Sequence, residues 1–337
     1  MSRCRLCHTP GTALHSCLRD RLFGAEGQWN LTKCSNAGCG LVWLDPLPTS
    51  ESLSMAYASY YTHTEVRQPA KPGLLRRAYR WAKWNYLAQR FGYVKGPPRL
   101  LRWPMAWLFA LLPLVRAQAE DEELRQLCAV PGGKLLDVGC GSGLWLASMR
   151  EHGWEVAGVD FDAAAVSAGT RQGLSLCAGS LEAQRYPDAA FDAVMLNHVI
   201  EHTPDPVATL AECRRVLKPG GQFILYTPNV QSLGHRMFGQ HWRGLEPPRH
   251  LHLFSPESIR AALQQAGFTR TSVRTVNSAY IWRQSVALRA RARDPGSQRA
   301  TRAGHRLLAQ TLRCVEQMVL VVRADVGECI AVKATAS

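Results

Sequence analysis

Two acidic residues, three closely spaced glycines and one thiol carry the first chemical signal in this chain. Leu135-Leu136-Asp137-Val138-Gly139-Cys140-Gly141-Ser142-Gly143 ends an apolar run in Asp-x-Gly-x-Gly-x-Gly, and an apolar, helix-like segment follows from Leu144 to Met149. The pattern predicts a buried strand, a tight turn and a helix. Glycine is needed where the backbone takes positive φ or where a ligand lies against bare main chain. A dinucleotide turn of the form Gly-x-Gly-x-x-Gly cradles a pyrophosphate. Here Gly141 and Gly143 stand one residue apart and Asp137 precedes the turn, an arrangement that suits a cation better than a phosphate. A second strand, Glu155-Val156-Ala157-Gly158-Val159, ends in Asp160-Phe161-Asp162. An acid at that position can accept both hydroxyls of a ribose. The two acids together predict a site for a nucleoside that bears an amino acid.

These residues resemble the class I S-adenosylmethionine-dependent methyltransferases. The resemblance extends to Phe191-Asp192-Ala193-Val194, to Asn197-His198-Val199-Ile200-Glu201-His202, and to Arg215-Val216-Leu217-Lys218-Pro219-Gly220-Gly221, in the family's order between about Lys134 and Phe268. It implies an α/β, Rossmann-like fold with a seven-stranded sheet, and S-adenosylmethionine as cofactor. It implies Asp137 near the cofactor's ammonium and Gly139, Cys140, Gly141 and Gly143 under its methionine part. Asp160 would take the ribose, Phe161 the adenine face, Ser180 and Leu181 the adenine edge, and Asn197 the region near the methyl. The family often has Asp where Ser180 stands.

An oxygen acceptor must lose a proton, and histidine is the usual base near neutral pH. His198 and His202, as candidate bases, and Glu201, as a substrate contact, follow the fourth strand, at spacings that share one side of a helical turn. In related quinone O-methyltransferases a similar Glu-x-x-Glu-His stretch holds a divalent metal; here His198 replaces the first acid. A Glu/His pair that caps the following helix is the alternative. The second acceptor-side segment is Gln240 to Ser255, whose Pro248-Arg249-His250-Leu251 and Phe254-Ser255 resemble the family's acceptor loop. Arg249 would hold a phosphate or carboxylate, His250 would act as base, and Trp242 would line the substrate. The alternative is a loop docked by Trp242 and Phe254 with its histidines bonded internally.

Cys4-x-x-Cys7 and Cys34-x4-Cys39 can place four sulfurs on one structural zinc, with Cys17, His8 and His15 as substitutes. So short a segment buries too little core to fold unaided, so a metal would staple it. With Leu41-Val42-Trp43-Leu44-Asp45-Pro46 and the tyrosines from Tyr57 to Tyr61, the cysteine pairs resemble a bacterial methyltransferase group carrying an N-terminal zinc ribbon. Many of that group's members sit among genes for surface glycans or secondary metabolites, which implies a glycan or small-molecule acceptor.

The elements that must position these residues divide the 337-residue chain into a zinc-ribbon-like arm (1–45), a basic helical insertion (46–130) and the methyltransferase domain (131–337). Strands are expected to end at Asp137 and Asp160 and to cover Leu174–Cys177, Phe191–Leu196, Gln222–Tyr226 and Ser272–Val276. A last strand over Glu328–Ala334 is expected antiparallel between the fifth and sixth. Ser255-Pro256-Glu257 reads as a capped helix start, and Lys218-Pro219-Gly220-Gly221 as the stop before the fifth strand.

The net charge of +14 is concentrated rather than spread. No Asp or Glu occurs from Val66 to Ala119, and Arg283 to Arg323 is mostly basic. Leu75, Tyr79, Ala82 and Tyr86 fall on one side of an amphipathic segment rich in Arg, Lys and Trp, and the apolar run Trp103–Val115 is too short to span a bilayer. Two readings stay open: an anionic membrane surface, or a cap over the active site. Eleven cysteines, an odd number, and no apolar leader predict a reducing, cytoplasmic setting, peripheral to the inner membrane under the first reading. The expectation is O-methylation of a glycan, sugar nucleotide or lipid-linked intermediate. C- or N-methylation of a small metabolite comes second. RNA or DNA methylation is a third reading, disfavoured because Asn197-His198-Val199-Ile200 replaces the Asn/Asp-Pro-Pro-Tyr block of amino-group base methylators. A non-enzymatic adaptor is disfavoured by the intact Asp137 and Asp160.

Overall fold

The computed structural model describes residues 2–57, 73–93, 119–121, 123–293 and 326–336. Strands β1 (Gly11–Leu18), β2 (Trp29–Cys34), β3 (Val42–Leu44) and β9 (His252–Leu253) form one sheet, in that order. The second sheet has β4 (Lys134–Val138), β5 (Glu155–Asp160), β6 (Ser175–Ala178), β7 (Phe191–Asn197), β8 (Leu217–Pro228), β10 (Arg270–Val276) and β11 (Cys329–Thr335). Its order is β10-β11-β8-β7-β4-β5-β6. β11 therefore stands between β8 and β10, and it runs antiparallel to β10 over seven paired positions from Arg270↔Thr335 to Val276↔Cys329. All seven strands lie where the sequence predicts them, to within a few residues. The fifth is longer than expected: β8 begins at Leu217, directly after the helix Pro206–Val216. Gly220 takes φ +75°, and a Cβ on Gly221 would meet the Lys218 carbonyl at 2.8 Å, so both glycines suit the passage from the helix end at Val216 into the strand.

Two compact units share out the chain: Met1–Tyr60 with Leu196–Arg215 and Leu225–Ser337, and Tyr61–Met195 with Val216–Ile224.

In the second of these, parallel β4, β5 and β6 bury Leu135, Leu136, Val159 and Leu176. The near-continuous apolar run of β4 fits a strand covered on both faces. Helix α1 (Ser50–Tyr57) belongs to the other unit; α2 (Leu74–Phe91) lies in this one. It buries Ala82, Tyr86, Leu87 and Phe91 and turns Tyr79, Trp81, Arg77 and Arg80 outward. Gly92 ends it in the left-handed conformation, φ +81°, which glycine tolerates best. Trp84 packs against His152 at 4.0 Å between ring centres, and Lys83 pairs with Glu123 at 2.5 Å. The apolar run Trp103–Val115, the basic stretch 297–320 and Ala58–Tyr61 lie outside the described residues. No described helix is long and apolar enough to cross a membrane.

In the first unit the cysteine-bearing arm is not a free appendage. β3 pairs antiparallel with β9, Val42 against Leu253 and Trp43 against His252, and the Leu44 amide donates to the Leu251 carbonyl. The arm's sheet thus includes the end of the 240–255 loop, and Leu41, Val42, Leu44, Leu253 and Phe254 are buried with it. Ser255 caps the helix Pro256–Gln265 as the sequence predicts: its side chain accepts from the Ser258 amide, Ser258 returns the bond, and Pro256 opens the helix. The same Ser255 hydroxyl donates to the Cys39 carbonyl at 2.9 Å. Ser255→Ala removes both links from a buried site, and urea unfolding should show a loss of about 2 kcal/mol. An unchanged midpoint would mean that the cap contributes nothing.

Candidate functional site

The carboxylate ahead of the glycine turn is the most unusual group in the second unit. Asp137 is only 3% exposed, and its Oδ1 has no hydrogen-bond partner. Burial pushes its pKa up to about 7, Arg125 opposes the shift, and Asp160 adds to it. The turn above it is shaped by φ values of +77°, +55° and +74° at Gly139, Gly141 and Gly143. A Cβ on Gly143 would lie 2.6 Å from Leu174 Cδ1, whereas one on Gly141 would meet nothing within 4 Å. Gly141 thus leaves bare backbone beside open space, where a ligand can lie. Asp160 locks the turn from the next strand: its Oδ2 accepts from the Gly141 amide at 2.7 Å and its Oδ1 from the Asp162 amide at 2.8 Å. Those two bonds leave lone pairs on both oxygens. Phe161 is 78% exposed, an aromatic face without cover in its own unit. Ser180 accepts from the Ala183 amide and Leu181 is buried. Burial holds the Cys140 thiol well above its ordinary pKa, so it stays protonated.

In the first unit, Asn197 ends β7 and His198 follows with φ +57°. A non-glycine residue held in the left-handed region is uncommon and marks positions worth inspecting for function. The His198 amide donates to the Tyr226 carbonyl, and its Nδ1 lies 3.1 Å from Glu201 Oε1. Glu201 is fully buried; burial would raise its pKa, but the His198 hydrogen bond, with the charges of His198 and His202, holds it down at about 2. An ionised Glu201 only accepts, so His198 Nδ1 donates, and Nε2 of this 40% exposed ring is left with a lone pair. Thr227 fixes the other Glu201 oxygen at 3.0 Å.

His202 Nδ1 lies 3.0 Å from the Arg249 carbonyl and 2.8 Å from the Tyr57 hydroxyl. His250 Nδ1 donates to the Gly244 carbonyl at 2.7 Å, and the two rings meet edge-on at 4.7 Å. Burial, then the nearby charge of His202, keeps His250 neutral. Glu201, His202 and His250 bring one donor atom each within 4.8 Å of one another, a set able to hold a divalent cation.

The three residues expected to contact a substrate, Glu201, Trp242 and Arg249, are all drawn inward. Arg249 is fully buried, its two terminal nitrogens 2.9 and 2.5 Å from Asp20 Oδ2 and its guanidinium 4.4 Å from the Phe23 ring centre. Asp20, absent from the sequence reading, is the partner that pulls it in. Trp242 is buried and donates to Glu328 at 2.6 Å. Both hold the 240–255 loop, as its docked alternative anticipates. The histidines around it are likewise bonded internally: His235 to the Val230 carbonyl and His252 to the Thr203 carbonyl.

Cys4, Cys7, Cys34 and Cys39 converge with their sulfurs all within 4.8 Å. The Cys4–Cys39 and Cys7–Cys34 separations are 3.7 and 3.4 Å. Tetrahedral zinc–thiolate bonds imply about 3.8 Å between sulfurs, so the donor set fits zinc. The contact with Cys39, above all, holds the Cys4 thiol well below its ordinary pKa. Cys17 is exposed, and His15 faces His235 at 3.1 Å; neither joins the cluster.

Residues 115–273 match a family model described as a methyltransferase domain. Among curated proteins, the chain is 36% identical over 108 residues to the ubiquinone biosynthesis O-methyltransferase of Hahella chejuensis, covering 30% of this chain and 45% of that protein. To the protein of the same name from Cereibacter sphaeroides it is 31% identical over 159 residues, 44% of this chain and 64% of that one. The chain thus spans about half the length of the curated relatives it matches. A solved S-adenosylmethionine-dependent methyltransferase of Thermotoga maritima, described as a possible histamine N-methyltransferase, superposes with a TM-score of 0.43 and 16% identity over 78% of this chain and 96% of that one. With the strand order above, the matched domain gives the chain an α/β Rossmann-like methyltransferase fold.

The neutral, buried histidines predict acid sensitivity. Burial, then Arg5, lowers His252 to about 4, and burial lowers His235 to about 4. The unfolded chain takes up these protons near pH 6.5, so stability is lost as pH falls from 6.5 towards 4, by about 3 kcal/mol for one fully buried ring. Urea midpoints of wild type should fall across that window, and His252→Gln should flatten the slope; parallel curves would contradict the assignment.

Proposed function

We propose that this chain transfers the methyl group of S-adenosylmethionine to an oxygen of its acceptor. The observation that carries the reading is Asp137: a sealed, partly unbonded carboxylate under an open glycine turn is costly unless a cation meets it. The donor set fits the cofactor: an acid for its ammonium, bare backbone at Gly141, lone pairs on Asp160 for the ribose and the uncovered face of Phe161 for the adenine, with Gly139, Cys140, Gly143, Ser180, Leu181 and Asn197 completing the contacts the family resemblance implies. When bound, the sulfonium supplies an electrophilic methyl group; the protein's task is then to position and deprotonate.

His198 is the proposed base. Its Nε2 would take the acceptor's hydroxyl proton, while Glu201, fixed by Thr227, holds Nδ1–H and stabilises the imidazolium. His202 and His250 would accept hydrogen bonds or hold a cation beside it. The naming of the relatives as O-methyltransferases supports oxygen as the methylated atom. The acceptor is proposed to be a glycan, sugar nucleotide or lipid-linked intermediate, met in a reducing cytoplasm or at its membrane surface. The Cys4 cluster is proposed to hold a structural zinc that fixes the arm to the acceptor loop through Cys39 and Ser255.

The test is a methyl-label assay with fractionated glycans and lipids as acceptors. Asp137→Asn should weaken donor binding by about 10–100-fold, through the loss of a charge-assisted contact. His198→Gln should leave donor binding unchanged and slow transfer by about 10²–10⁴-fold. A cationic donor requires ionised Asp137, so its affinity should rise with pH up to about 7 and then level. Label appearing in RNA, or a His198→Gln enzyme of wild-type rate, would overturn the respective part.

A further inference from the structure

The first unit contains an open depression of about 680 Å³ lined by Arg21, Arg236, Arg289, Gln240 and His241, with apolar residues between them. Among the described residues, no acidic side chain lines it. The three arginines come from three distant parts of the sequence: the turn after β1, the short helix Leu233–Phe238, and the helix Ala279–Arg293. Like charges gathered in one concavity repel unless an anion joins them.

The local structure explains how the cavity stays positive. Asp20, the acid nearest Arg21 in sequence, turns inward: it accepts from the Leu22, Phe23 and Ala25 amides and pairs with buried Arg249. Its charge is thereby neutralised away from the cavity, while Arg21 points out from the turn that Asp20 makes. Arg289 Nη1 donates to the Met237 carbonyl at 3.2 Å, which ties the long helix to the wall that carries Arg236. This bond uses one of five guanidinium donors and leaves the rest for a ligand. Among the described residues, no carboxylate pairs with Arg21, Arg236 or Arg289.

We infer that this cavity binds the diphosphate group of an anionic ligand. Guanidinium forks match phosphate oxygens two at a time, which a lysine ammonium does not. Three of them match the charge of a diphosphate ester better than that of a single phosphate, and the cavity has room for more than one phosphoryl group. The same chemistry is offered by a soluble nucleoside diphosphate and by a polyprenyl diphosphate in a membrane. The inference goes beyond the methyl-transfer proposal and does not depend on it, because it is read by direct binding with no methyl donor present.

The experiment is calorimetric titration of the full chain with inorganic pyrophosphate at low salt. Saturable binding is expected, weakened about tenfold by each of Arg21→Gln, Arg236→Gln and Arg289→Gln and abolished in the triple variant. Arg77→Gln, an exposed arginine on α2, should leave it unchanged. Circular dichroism of the triple variant separates lost binding from lost fold. Uridine diphosphate, and phosphatidylcholine vesicles carrying a polyprenyl diphosphate, are then each tested for displacement by pyrophosphate, and the displaced one identifies the source. Absence of binding at about 10 mM pyrophosphate, equal binding by the triple variant, or displacement of neither ligand would overturn the inference.

Discussion

A carboxylate enclosed by protein with an oxygen unbonded must either keep its proton or meet a positive charge. Asp137 is such a group, and the rest of the second unit is arranged around it. β4 delivers it to the sheet end, and three glycines with positive φ fold the chain back over it. Asp160 fastens that fold from β5 through the Gly141 amide. The turn therefore brings two acids together, one that fastens it and one left with an unbonded oxygen beneath it. Their mutual repulsion contributes to the raised pKa of Asp137.

The first unit solves a different problem, the fixing of a long loop rich in charge and histidine. It does so by burying the charges in pairs. Arg249 is neutralised by Asp20, Arg243 bonds Glu246, and Glu328 takes the Trp242 indole together with the Gly234 amide. Breaking one partner of a buried pair leaves an uncompensated charge, so such networks specify a conformation more than they add net stability. The cysteine arm adds a β-ladder to the same loop at Val42–Leu253 and Trp43–His252. Its four thiols and the loop's cap at Ser255 are one hydrogen bond apart through the Cys39 backbone. A metal at those thiols would thus act on the loop by rigidity rather than by chemistry.

The parts of this architecture legible in the sequence are those written in local periodicity and in residue types with few alternatives. The apolar runs ending at Asp137 and Asp160, the Ser255-Pro256 helix start and the paired thiols belong to that class. Trp242 was legible as an anchor of its loop, but the burial of Arg249 was not, because its partner Asp20 lies 229 residues away in sequence. The pairing of the arm with His252–Leu253 is carried by a two-residue strand, too short for any period to reveal. Lys218-Pro219-Gly220-Gly221 reads as the end of a helix, and the helix does end just before it at Val216; that the strand begins at once, at Leu217, is not legible in the composition. The arginine-lined cavity is likewise assembled from single residues with no shared motif.

The most direct measurement is calorimetric titration of the purified, metal-replete chain with S-adenosylhomocysteine, which keeps the ammonium, ribose and adenine of the donor. Wild type should bind with measurable heat, and Asp137→Ala should lose that heat while retaining its circular dichroism. Equal heats for the two proteins, or none for wild type, would contradict the account.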